Sequence, residues 1–148
     1  MFKYSSFIKR EYDYAIRISA YLASIFPGGH RSITDISNSL LLTKPITSKI
    51  VHQLKKNQIL ESVRGRNGGV KLTKNPKNLS FLDILTAMNF NSTLNECLKN
   101  PAICPLVSSC KIHIYFGNLE QNLLDTLENT FVSEFIISEN SLKSKGGE

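Results

Sequence analysis

Cysteine is absent from this sequence except at Cys97, Cys104 and Cys110, which lie within fourteen residues of one another and are followed three positions later by His113. An odd number of clustered cysteines argues against structural disulfides and for thiolate chemistry or metal binding in a reducing compartment. No stretch approaches the ~18 apolar residues of a membrane span. The opening segment MFKYSSFIKREYDYAIRISAYLASIF is interrupted by Lys9, Arg10, Glu11, Asp13 and Arg17. It offers no continuous apolar core for a signal peptide, and a cytoplasmic protein is expected. Phosphate loops, nucleophile and base pairs at suggestive spacing, and paired carboxylates in an apolar setting are missing, so an enzyme is not expected. Internal repeats and low-complexity tracts are missing too.

What is present is enough apolar material for one core, 41% of 148 residues. Charge is unevenly spread: residues 1–80 hold 14 Lys and Arg against 4 Asp and Glu, while residues 81–148 hold 4 against 8. A basic excess confined to one half suits a polyanion-binding module, because neutralising phosphates releases condensed counterions.

The apolar residues Ala15, Ile18, Leu22 and Ile25 predict a first amphipathic helix from Asp13 to Ile25, ended by Pro27, Gly28 and Gly29. Ser32 with Asp35 fits a capping box opening a short second helix with Ile33, Ile36 and Leu40 on one stripe. Thr43 as N-cap, Pro45 in the first turn and the apolar steps Ile46, Ile50 and Leu54 predict a third helix from Lys44 to about Asn57. Two short strands, Leu60 to Arg64 and Val70 to Thr73, follow around a glycine-rich turn in which Gly68 and Gly69 are expected to supply positive φ. Ser80 with Asp83 opens a further helix that stops near Asn89 to Asn91. Pro101 and Pro105 predict a loop with short helical turns from Asn95 to Cys110. After it Ile112, Phe116, Leu119, Leu123 and Leu127 form one apolar seam on a long helix that needs a partner surface.

This order is that of a winged helix-turn-helix, mostly α with a small β-hairpin wing, plus a long C-terminal dimerisation helix. The expected units are a DNA-binding domain over 1–90, a cysteine-rich loop over 91–111, a dimerisation helix and terminal turn over 112–138, and a flexible tail over 139–148. On the recognition helix, Thr43, Lys44, Pro45, Ile46 and Ser48 would sit at its DNA-facing start, with Lys44, Pro45, Ile46 and Ser48 toward base edges. Thr47, Lys49, Lys55 and Lys56 would face phosphates or solvent, and Arg64 and Arg66 at the hairpin would reach a neighbouring groove. His30 and His52 read as loop and helix-surface residues.

The segments DYAIRISAYLA, TDIS, SVRGRNGGVKL, LSFLDIL and CPLVSSC, in this order, resemble the Rrf2 family of bacterial transcription regulators. Leu41 and Leu42, at the helix-turn-helix break, and Gln58, after the recognition helix, stand where that pattern commonly has glycine. The resemblance implies a homodimeric regulator of double-stranded operator DNA that acts as a repressor. It implies an iron-sulfur cluster, [2Fe-2S] or [4Fe-4S], on Cys97, Cys104 and Cys110. Its fourth ligand would be His113, as in IscR-like members, or Asp13 from the partner subunit, as in NsrR-like ones. The signal would be iron or cluster status, or nitric oxide. The alternatives are a cluster-free member that uses redox thiols or a partner protein, and a closed zinc site on the three cysteines and His113, for which the cysteine spacings are wide.

Overall fold

In the computed structural model, which describes residues 6–143, the first helix, α1, runs over Arg10–Ala23. Tyr12, Ala15, Ile18, Ser19 and Leu22 recur at helical spacing on its buried face, while Glu11 and Asp13 occupy the first turn, where the helix dipole favours acids. Helix α2, Ile33–Leu40, opens on the expected capping box: the Asp35 N–H donates to Ser32 Oγ at 3.1 Å and the Ser32 N–H to Asp35 Oδ2 at 3.2 Å. It closes on Leu41, whose φ of 54° and ψ of 41° are left-handed and whose side chain is 91% exposed. A leucine makes the turn that glycine would make without steric cost, at a penalty of about 1–2 kcal/mol.

Helix α3 spans Lys44–Lys56 and buries Thr47, Ile50, Val51 and Leu54. Thr47, read from the sequence as a phosphate or solvent residue, is a core residue with no exposure. Its hydroxyl donates to the Thr43 carbonyl at 3.0 Å, so the polar group is satisfied inside the helix and its methyl is free to pack. The helix ends through Gln58, again left-handed with φ of 60°.

Strands β1, Leu60–Val63, and β2, Gly69–Leu72, pair antiparallel in the register Leu60 with Leu72 and Val63 with Gly69. The positive φ of the turn lies at Gly65, at 121°, and not at Gly68 or Gly69 as the sequence suggests. Those two glycines are required by proximity, because a Cβ would strike the Val63 carbonyl oxygen at Gly68 and the Arg31 carbonyl oxygen at Gly69. Arg31 forms an isolated bridge with Val70, adding a third extended segment beside the hairpin.

Helix α4, Phe81–Ala87, carries the second capping box, Ser80 with Asp83, and stops before Asn89, left-handed with φ of 59°. Short helix α5, Glu96–Lys99, and 3₁₀ turns at Pro101–Ile103 and Val107–Ser109 follow, without a buried residue among them. Helix α6, Lys111–Glu128, has 18 residues and also buries none fully. At 1.5 Å per residue it is about 27 Å long. Its expected single seam divides: Leu127 packs on the core, whereas Ile112 and Leu119 are 64% and 43% exposed and line up with Tyr115.

The chain then returns. The Val132 N–H donates to the Leu79 carbonyl at 2.9 Å and the Phe81 N–H to the Thr130 carbonyl at 2.8 Å. Val132, in a 3₁₀ turn over Val132–Phe135, is completely buried, and that turn packs against α1 and the 3₁₀ turn Pro76–Asn78. Of the tail expected to be flexible from residue 139, Glu139–Lys143 form helix α7 and the remainder lies outside the described residues. The architecture is a winged helix-turn-helix with one core built from α1, α3, α4, the hairpin and Val132. No helix among the described residues is long and apolar enough to cross a membrane.

Candidate nucleic-acid interface and cysteine loop

Burying Thr47, Ile50 and Leu54 leaves the opposite face of α3 in solvent. Thr43, Lys44, Pro45, Ser48 and Lys49 are exposed there, and Ile46 is half-buried against the core. Lys49 is not free: its Nζ lies 2.6 Å from Glu11 Oε1 on α1. Glu11 was not legible as a member of this face, since nothing in local spacing pairs residues on two different helices. Arg64 and Arg66 project at the wing tip, exposed, and neither is ion-paired among the described residues.

The wing tip is fastened to the residues preceding α2. His30 Nε2 lies 2.7 Å from the Asn67 carbonyl oxygen, which can only accept, so Nε2 carries the proton. Arg31 and Val70 exchange backbone hydrogen bonds at 3.0 and 2.8 Å. The basic groups of α3 and of the wing are thus carried on one connected frame.

Cys97 is on α5, Cys104 terminates the first 3₁₀ turn and Cys110 is the N-cap of α6. All three are free thiols of intermediate exposure. His113, in the first turn of α6, places Nδ1 3.2 Å from Cys97 Sγ. Helix α5 reaches α6 at Gly117, where an added Cβ would meet Leu98 Cδ2 at 3.4 Å, and the Leu94 N–H donates to Glu120 Oε2 at 3.0 Å. Asp13, the other candidate ligand, is on the α1 surface and bonded to Arg17 at 2.9 Å. Among the described residues no three Cys, His, Asp or Glu side chains are gathered so as to hold a metal ion. Three thiols and an imidazole on one short stretch suit an iron-sulfur group in kind. The fold brings together Cys97 and His113 and leaves Cys104 and Cys110 apart from them.

Neighbours tune Asp35, Glu139, Arg31 and Asp83. Asp35 is held below the usual carboxylate range by hydrogen bonds from the Ser32 hydroxyl and N–H. Glu139 is lowered by Arg31 and Tyr21, and Arg31 is correspondingly raised by Tyr21 and Glu139. Burial pushes Asp83 up, but hydrogen bonds from Lys74 and Ser80 outweigh it and leave the carboxyl lowered.

Residues 8–137 match the sequence model of a family described as "Rrf2: Iron-dependent Transcriptional regulator". Over 133 residues the chain is 25% identical to the HTH-type transcriptional regulator NsrR of Shouchella clausii, covering 89% of each chain. It also superposes on the global cysteine regulator CymR of B. subtilis with a TM-score of 0.70, at 21% identity over 90% of this chain and 95% of that one. For T. potens IscR the TM-score is 0.69, at 18% identity over 95% and 92%.

Proposed function

The chain belongs to the Rrf2 family and is a transcriptional regulator, not an enzyme, and on that premise we propose that it is a cytoplasmic homodimeric repressor whose grip on operator DNA is set by an iron-sulfur cluster on its cysteine loop. Recognition helix residues Thr43, Lys44, Pro45, Ile46, Ser48 and Lys49 meet one groove, and Arg64 and Arg66 meet the flanking one. The exposed stripe of Ile112, Tyr115 and Leu119 on α6 supplies the surface for a second copy.

The observation that carries the cluster reading is that all of the protein's cysteines lie on one stretch whose short helical turns bury no residue fully, with His113 already beside Cys97. Cys97, Cys104 and Cys110 would hold the group, with His113 or Asp13 of the partner subunit as fourth ligand. Bound there, an iron-sulfur cluster supplies thiolate-held iron that is open to oxidation, iron loss or nitric oxide. The chain's own part is mechanical. Cys110 stands at the N-cap position of α6 and Leu94 is tied to Glu120, which couples the shape of the loop to α6 and, in a dimer, to the spacing of paired recognition helices. A preference of about 1–3 kcal/mol between two dimer arrangements is enough to switch operator affinity.

The test is iron and sulfide content and visible absorption of anaerobically purified protein, together with operator binding before and after chelation. Wild type should be coloured and Cys104→Ala colourless; iron-free wild type after anaerobic reconstitution overturns the reading. A second reading is favoured by one contact: the Cys97 thiol hydrogen-bonded to His113 also suits a redox thiol in a cluster-free regulator, or one read by a partner protein. A thiol titration matching three cysteines, without iron or sulfide, selects it.

A further inference from the structure

Between the end of α1, the start of α2, the wing tip and α7 lies a cavity of about 590 Å³. Its floor is Tyr21, a residue only 2% exposed. The Tyr21 hydroxyl donates to Glu139 Oε1 at 3.2 Å and lies 3.0 Å from Ser39 Oγ, which can donate to it in turn. Arg31 is braced from behind, its Nη1 donating to the His30 carbonyl at 3.1 Å, and its Nη2 donates to the same Glu139 oxygen at 3.1 Å. Two preorganised donors, one of them charged, converge on a single carboxylate oxygen. That is the chemistry by which proteins recognise a carboxylate.

The carboxylate now in place is supplied by the chain itself. It comes from α7, a helix of five residues with no buried member, and the Glu139 side chain is 49% exposed. The cavity has room for much more than one carboxyl group, and Ser32, Asn38 and Asn67 on its wall can hydrogen-bond the rest of an occupant. We infer that this cavity is a binding site for a small carboxylate molecule, and that Glu139 is an intramolecular stand-in which the ligand displaces.

A nucleic-acid phosphate fits less well. The Tyr21 hydroxyl sits at the buried floor, where a small molecule reaches it more readily than a duplex backbone does. A ligand that takes the place of Glu139 would hold Arg31, whose backbone pairs with Val70 at the root of the wing, so occupancy acts directly beside Arg66. That consequence rests on the DNA-binding reading; the site itself does not.

The experiment is isothermal titration of the full chain with acetate, succinate and citrate at constant ionic strength, and with inorganic phosphate as the control. Saturable binding of at least one carboxylate is expected, tightened about tenfold by Glu139→Gln, which removes the charged competitor, and weakened about tenfold when Tyr21→Phe or Ser39→Ala is added. Three results overturn the proposal. One is the absence of saturable carboxylate binding to Glu139→Gln protein whose circular dichroism matches wild type. The second is affinity indifferent to both Tyr21→Phe and Ser39→Ala. The third is phosphate or a short DNA duplex binding this site in place of the carboxylates. Because none of these depends on iron content, failure here is distinguishable from failure of the cluster reading.

Discussion

Arg31 and Val70 exchange two backbone hydrogen bonds, at 3.0 and 2.8 Å, across 39 residues of chain, and so pin the wing to the segment that feeds α2. The approach is possible because Gly69, the next residue back, has no Cβ to meet the Arg31 carbonyl. Gly69→Ala should therefore push the hairpin away and cost about 1–3 kcal/mol, the usual range for overpacking. Urea unfolding with an unchanged midpoint would contradict the close approach.

Arg66→Ala should leave the fold intact and weaken operator binding by roughly tenfold. If Arg66 contacts a phosphate, the slope of log K against log salt should become shallower by about 0.9 for that one contact. A titration series from low to moderate salt distinguishes this from a base contact, which would lower affinity for the operator but not for random DNA.

Leu119→Asp places a charge at the C-terminal end of the exposed α6 stripe formed with Ile112 and Tyr115. The protein should sediment as a monomer, and operator affinity should fall by at least about a hundredfold as the linkage of two half-sites is lost. A dimer of unchanged stability in sedimentation equilibrium would place the interface elsewhere.

Asp83 predicts an acid dependence of known sign. Its carboxyl is lowered in the folded chain, burial notwithstanding, because Lys74 at 2.8 Å and the Ser80 N–H at 3.0 Å stabilise the anion. A depressed carboxyl stabilises the fold above the ordinary carboxylate pKa, and this contribution is lost as pH falls through the lowered value. The stability gap between wild type and Asp83→Asn should be widest near neutrality and shrink on acidification. Separately, Ser80→Ala removes the cap and should cost about 1 kcal/mol at any pH where the fold persists.

Both capping boxes and the long helices could be read directly from the sequence because their determinants lie within four residues of each other. The leucine at 41 and the glutamine at 58, which stand out where glycine is usual, proved to be the left-handed residues that end α2 and α3. Thr47 misled because a threonine that satisfies its own hydroxyl within the helix behaves as an apolar residue. Gly68 and Gly69 misled because their need is tertiary, set by carbonyls of Val63 and Arg31. The Cys97 and His113 contact was foreshadowed by composition, whereas the Glu11–Lys49 and Arg31–Glu139 pairs join residues 38 and 108 positions apart and leave no local trace.

Val132 has a further bearing on how this molecule can be dissected. A fragment stopped after α4 would carry every element of the winged module yet lack the valine that plugs its interior and the strand-like clasp of Phe131 on Ser80. Helices α1 and α4 and the Val132 turn share one core to which the end of α6 adds Leu127, and α5 with the exposed start of α6 is an excursion looped out from it. Excising that excursion with a short bridge, rather than truncating, is the way to obtain the isolated module in soluble form.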